Sequence, residues 1–232
     1  MRSLTNLPIV ILITSEVPES HRILLRKLNL DLRVIEPLYE RFEKGLNTGR
    51  AYHLHSFGKL EVFNPRWLSD FDRIIHLDTD TFALRAPDEL FCLPGKFVAA
   101  KRLNNLRSGF NSGVFLAKPD NATYIGLTNL LIRGIQRNLR GQENTNSFGD
   151  QPLLNQYFHK SNNICFGSKY NCGGFGPPQT GAKSLKCGII NADEKKMQSY
   201  ITIIHAKLSQ RKISVRLPTT AALWENNLPK TT

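Results

Sequence analysis

Asp78-Thr79-Asp80 stands where the strand-like run from Arg73 to Leu77 gives out. In an extended chain, residues two apart project to the same side, roughly 6.5 Å apart along the strand. Two carboxylates so placed repel, and a divalent cation is the usual remedy. Such a cation bridges to phosphate oxygens and neutralises charge developing on a diphosphate leaving group. The plainer reading is a pair of solvated acids at a strand end. His205 ends the last apolar run and is followed by Lys207, Arg211 and Lys212. That arrangement suits a metal ligand beside cations that meet a diphosphate, although a lone histidine is more often a core or surface residue. Asn111-Ser112-Gly113 sets small polar groups before an apolar run, either as ligand-facing hydrogen-bonding groups or as a tight turn needing Gly113. Gly149-Asp150-Gln151 opens a helix, so Asp150 is either an N-cap or a carboxylate presented, with the Gln151 amide, to a polyhydroxylated ligand.

The elements that must hold these groups alternate between strand and helix. Pro8 to Thr14 is a continuous apolar, β-branched run, the pattern of a strand covered on both faces. Pro18 opens a helix through Asn29, with Ile23, Leu24 and Leu28 at helical spacing. Leu32 to Ile35 reads as a second strand that Pro37 stops, and Tyr39 to Tyr52 reads as a loop. This order argues for an α/β unit with a parallel sheet. Phe57 to Phe63 suits a short helix ended by Pro65, and Pro87 to Phe91 a helical turn. Phe97–Ala100, Val114–Leu116 and Tyr200–Ile204 read as strands. Residues 119–139 read as a helix with Tyr124, Leu127, Leu131 and Ile135 on one face, and Asp150–Phe158 as another. Residues 167–188 hold six glycines and two prolines and read as a loop. No internal repeat and no domain boundary is evident, so residues 1–232 read as one domain with a tail beyond Pro218 that frays.

At 232 residues, 41% hydrophobic and 22% charged, the chain is long enough for one soluble domain with a real core. No apolar run approaches the ~20 residues of a membrane span. Pro8 and the acids Glu16 and Glu19 argue against a secretory signal at the start. The four cysteines have no zinc-like spacing and read as reduced thiols of a cytoplasmic protein, with a Cys172–Cys187 bridge left open. Asn121-Ala122-Thr123 is a formal glycosylation acceptor that carries little weight without a secretory signal. The net charge of +12 attracts anions. The basic residues are scattered, and no nucleic-acid-binding signature accompanies them, so charge alone does not make a nucleic-acid partner.

Taken in order, seven stretches resemble glycosyltransferase family 8, particularly its glycogenin and galactinol-synthase-like branch. They are VPESHRILL (17–25), GKLEVF (58–63), FDRIIHLDTDTFALRAPDELF (71–91), FNSGVFLAKP (110–119), GDQPLLNQYF (149–158), KYN (169–171) and IIHAK (203–207). The resemblance spans about residues 8–212. It implies a GT-A type nucleotide-sugar transferase fold with a mostly parallel central sheet, and metal-dependent transfer of a hexose from a UDP-sugar with retention of configuration. By the same resemblance, Asp78 and Asp80, with Thr79 between them, are similar to the metal-binding acid pair, with His205 as third ligand for manganese or magnesium. Lys59 matches a lysine near the donor, Asn111 and Ser112 match residues lining the sugar, and Asp150 and Gln151 match the pair beside the reacting centre. Lys212 stands in for a late phosphate-binding lysine. The acceptor, a carbohydrate or a protein, is not specified.

The chain departs from that pattern in three places. The family's first strand-helix unit, which supplies much of the uridine pocket, precedes Pro8 and is not found here. The late Gly and Lys-Pro-Trp are replaced by LSQRKIS (208–214). Lys101 and Arg102 stand where many relatives carry an aspartate. These departures motivate a rival reading, a catalytically impaired family remnant acting as a binding protein.

Overall fold

The computed structural model describes residues 4–36, 56–101, 109–139, 149–158, 165–166, 170, 172–173 and 202–205. The expected loop at Tyr39–Tyr52, Arg102, most of the glycine-rich stretch, Cys187, Lys212 and the tail lie outside them. In chain order the elements are β1 (Val10–Ile13), α1 (Glu19–Lys27), β2 (Asp31–Val34), a 3-10 segment (Phe57–Phe63), α2 (Pro65–Leu68), β3 (Ile74–Leu77), β4 (Thr81–Ala83), a second 3-10 segment (Asp88–Cys92), β5 (Phe97–Lys101), β6 (Phe110–Ala117), α3 (Asn121–Leu139), α4 (Asp150–Phe158), β7 (Cys165–Phe166), β8 (Cys172–Gly173) and β9 (Ile203–His205).

The first unit is the strand-helix-strand that the periodicity predicts. β1 and β2 pair in parallel from Val10↔Asp31 to Ile13↔Val34, and α1 makes the crossover that a parallel pair requires. The helix ends on Asn29 at φ 56, whose N–H donates to the Arg26 carbonyl at 2.9 Å, a left-handed cap that asparagine tolerates. Two expectations fail here. α1 buries no side chain, and Ile23, Leu24 and Leu28 are exposed. β1 is half-buried except at Ile13; Val10 and Leu12, two apart, share a face that packs against the core without being closed over. Arg33 on β2 ties the unit to the next, donating to the Trp67 carbonyl and pairing with Asp70 at 2.6 Å.

The centre of the molecule is the pair β5–β6. Alternation places Phe97, Ala99, Phe115 and Ala117 in one apolar cluster and Val98, Ala100, Val114 and Leu116 in another. Both faces are therefore covered, and each fully buried large side chain contributes about 1.5–3 kcal/mol. The first cluster includes Leu127, Leu131 and Ile135 of α3, on the face that helical spacing predicts, and Leu153, Leu154 and Phe158 of α4. α3 and α4 approach closely at Gly126, where a Cβ would lie 2.5 Å from the Tyr157 ring.

The four-stranded sheet runs β3-β6-β5-β7, antiparallel at β3–β6 and β5–β6 and parallel at β5–β7. It is mixed rather than mostly parallel, because the eight residues between Lys101 and Phe110 are too few for a crossover. A third sheet runs β4-β9-β8, and the predicted loop over 167–188 contains the two-residue strand β8. Along β6 the register with β5 steps from Ala99↔Phe115 to Ala100↔Asn111. This bulge takes in Ser112 and Gly113, and bulges commonly re-aim side chains beside functional sites. Asn111–Gly113 therefore lie within a strand, not in a turn before one.

Candidate functional site

Lys59 sits in the middle of the first 3-10 segment, and that segment is fixed from beneath by a buried carboxylate. Glu61 accepts from Tyr124 Oη at 2.9 Å, Asn64 Nδ2 at 2.8 Å and Trp67 Nε1 at 2.9 Å, so its burial is compensated. Asn64 also caps α2 by accepting from the Arg66 N–H. The 3-10 segment ends before Pro65 as expected, and Pro65 then opens this next turn at its first position.

From that anchor the Lys59 ammonium reaches two carboxylates. It lies 2.8 Å from Asp78 Oδ1 and 2.8 Å from Asp150 Oδ2, and donates to the Ser112 carbonyl at 3.2 Å. Ser112 Oγ donates to Asp150 Oδ2 at 2.8 Å, and its N–H to Gln151 Oε1 at 3.3 Å. Asp150 thus turns its carboxylate across to Lys59 and Ser112. Asn111 Oδ1 accepts from the Gly113 N–H at 2.8 Å, which shapes the bulge. The structure therefore brings Lys59, Asp78, Asn111, Ser112, Asp150 and Gln151 into one neighbourhood.

The acid triplet differs from the expected extended strand end. Thr81 donates through its N–H at 3.0 Å and its Oγ1 at 2.6 Å to the Asp78 carbonyl, closing a turn over Asp78–Thr81. Asp78 and Asp80 therefore stand at two positions of a turn. Thr79 is exposed at its tip and Asp80 is half-buried. The Asp78 N–H donates to the Gly113 carbonyl at 2.9 Å, which fastens the turn to β6. His205 enters through backbone register: β9 sets it opposite Thr81 of β4 and Gly173 of β8. Among the described residues, no group of three His, Cys, Asp or Glu side chains forms a closed cation site.

Two contributors escaped the sequence reading. His76 Nε2 lies 3.0 Å from Asp78 Oδ1, and the ring stacks on Phe115 at 4.6 Å between centroids. Strand period two puts His76 and Asp78 on one side, a signal available in the spacing. Asn155, one turn after Gln151, accepts from the Phe110 N–H at 2.8 Å and donates to the Phe110 carbonyl at 3.0 Å. It pairs with the start of β6 as a strand would, and so aligns Ser112 with Asp150 and Gln151.

The electrostatics follow from burial opposed by pairing. Burial pushes the Asp78 and Asp150 carboxyls up. His76 and Lys59 more than offset this at Asp78, as do Lys59, Ser112 and Ser56 at Asp150, so both stand below the usual carboxylate range. Burial pulls Lys59 toward neutrality, but Asp150 and Asp78 outweigh it and its value is raised. Burial, helped by the Lys59 charge, depresses His76 despite the opposite pull of Asp78. The unfolded chain binds a proton at His76 near pH 6.5, where the folded chain does not. Stability is therefore lost as pH falls from there toward the depressed folded value, and the two carboxylates extend the loss below about pH 4. Without metal, the melting temperature is expected to fall more steeply between pH 7 and 5 in the wild type than in His76→Phe; equal slopes would contradict the assignment.

A sequence model described as Glycosyl transferase family 8 matches residues 3–205. Galactinol synthase 1 of Solanum lycopersicum is 26% identical over 172 residues, covering 65% of this chain and 50% of the relative. Glycogenin of Neurospora crassa is 35% identical over 113 residues, 47% of this chain and 14% of the relative. The chain thus spans half or less of the length of these two relatives. A solved galactosyltransferase LgtC, in complex with donor and acceptor sugar analogs, superposes with a TM-score of 0.62 at 14% identity, over 97% of this chain and 88% of that one. At that identity the likeness speaks for the fold, which is of GT-A type. Among the described residues, no helix is long and apolar enough to cross a membrane.

Proposed function

Because the chain belongs to glycosyltransferase family 8, we propose that it transfers a hexose from a UDP-sugar to an acceptor hydroxyl, with retention of configuration, at the site around Lys59. The observation that carries this reading is the convergence of Asp78, Ser112 and Asp150, from three separate stretches, on that one ammonium. The acceptor oxygen bonds to C1 of the sugar as the C1–O bond to the β-phosphate breaks, and the acceptor proton leaves on the phosphate oxygen. Asp150 and Gln151, held by Ser112, orient the sugar. Lys59 couples that half of the site to the acid turn, and Asn111 keeps the bulge open for the donor. The acceptor is a carbohydrate or protein hydroxyl.

A divalent cation, manganese or magnesium, would neutralise charge on the diphosphate when bound. Asp78, Asp80 and His205 would hold it. Two hard carboxylates and an imidazole fit such a cation in donor chemistry, and the acid turn runs directly into the strand whose register meets His205. Lys212 would meet phosphate from beyond β9.

Asp80→Asn removes one formal charge with little change of shape. Manganese-dependent UDP binding, followed by calorimetry, is expected to weaken at least ~10-fold, the smallest loss typical of disturbed metal sites. Unchanged affinity in the presence of manganese would sink the ligand assignment.

A further inference from the structure

Asp78 Oδ1 takes two donors, Lys59 Nζ at 2.8 Å and His76 Nε2 at 3.0 Å. The two differ in what else they do. The Lys59 ammonium is divided among Asp78, Asp150 and Ser112, so it cannot by itself set the orientation of any one of them. The His76 ring is clamped: it stacks on Phe115 with 24° between planes, Phe115 has no exposed surface, and the two residues are direct cross-strand partners in β3–β6.

An apolar ring would fill this position on β3 as well as imidazole does, and without the cost of burying a polar nitrogen. What the imidazole adds is a hydrogen bond from a fixed point to one carboxylate oxygen. Backbone bonds already hold the Asp78 main chain, from its N–H to Gly113 and from Thr81 to its carbonyl. The remaining freedom is rotation of the carboxylate itself, which His76 is placed to restrain.

We propose that His76 is a positioning residue that holds the Asp78 carboxylate in the orientation from which it takes a divalent cation, and thereby sets the cation affinity of the site. The inference rests on the reading of Asp78 and Asp80 as ligands, so its test must separate the two. Partners that orient a ligand without touching the metal typically contribute 10- to 100-fold in affinity.

The experiment measures manganese binding to the full chain by electron paramagnetic resonance, with saturating UDP, in the wild type, His76→Phe, His76→Gln and Asp80→Asn. His76→Phe keeps a ring on Phe115 and loses the hydrogen bond. It is expected to melt near the wild-type temperature and to bind manganese roughly 10- to 100-fold more weakly. His76→Gln places an amide nitrogen the same number of bonds from the backbone as Nε2 and, by restoring the donor, is expected to recover most of the lost affinity. Wild-type manganese affinity in folded His76→Phe, alongside a loss in Asp80→Asn, would overturn this inference alone. Wild-type affinity in both would overturn the ligand reading beneath it. Should His76→Phe not fold, His76→Met fills the slot without a donor and takes its place. Failure of both apolar variants to fold would assign His76 to stability and overturn the inference.

Discussion

Lys59→Met is expected to destabilise the protein by about 3–5 kcal/mol at neutral pH, the usual consequence of removing one partner from a buried ion pair. The Lys59 side chain is 10% exposed, and those of its partners Asp150 and Asp78 are 14% and 23% exposed. Methionine keeps the length of the stem and removes the charge, leaving two largely buried carboxylates without the cation between them. With that cation gone, burial raises both carboxyls, removing the main cause of the depression at Asp150 and weakening the depression at Asp78 that His76 and Lys59 share. The wild type loses stability as pH falls through the carboxylate range. The variant, whose carboxyls protonate more readily, loses less, so the gap between the two narrows on acidification. Urea unfolding at pH 7 and pH 4.5 measures both effects. A variant as stable as the wild type at pH 7 would mean that the three-way contact does not hold the site together.

Asp150→Asn is expected to lower turnover on the order of 100-fold while sparing UDP binding. Losses of this size accompany removal of a group that acts on the transition state, and a fall in turnover at unchanged nucleotide affinity is their kinetic signature. The substitution preserves shape and leaves Lys59 paired with Asp78. Comparison of kcat with the dissociation constant for UDP checks it. Loss of UDP binding in a folded variant would place Asp150 in the nucleotide site. A collapse of stability would instead mark Asp150 as chiefly the structural partner of Lys59.

Periodicity made much of the fold legible. The bounds Asp150–Phe158 and the buried face Leu127-Leu131-Ile135 follow from helical spacing, and the βαβ unit follows from the alternation of runs around Pro18. The directions of β3, β5 and β6 did not follow, because apolar runs specify burial and not which neighbour they pair with. The exposure of Ile23, Leu24 and Leu28 likewise escaped, since helical spacing shows that a face exists and not that anything covers it.

At the site, the ordered motifs pointed to Lys59, Asp78, Ser112, Asp150 and Gln151, and these meet. Their means of meeting were not legible. Lys59 as the common counter-ion depends on three elements far apart in sequence, and the turn over Asp78–Thr81 depends on a Thr81 hydroxyl that has other uses in a strand. His76 and Asn155 were visible only as spacings, two before Asp78 and four after Gln151. Their significance comes from what the strands and helix bring opposite them.

The most direct measurement of the central claim is release of UDP from a panel of UDP-hexoses by the purified chain, with manganese and with a chelator, beside Asp150→Asn. The account predicts slow manganese-dependent release from at least one UDP-hexose, abolished by the chelator and reduced on the order of 100-fold in the variant. Release that is indifferent to both the chelator and the substitution, or no release from any UDP-hexose by a folded chain that binds UDP and manganese, would contradict it.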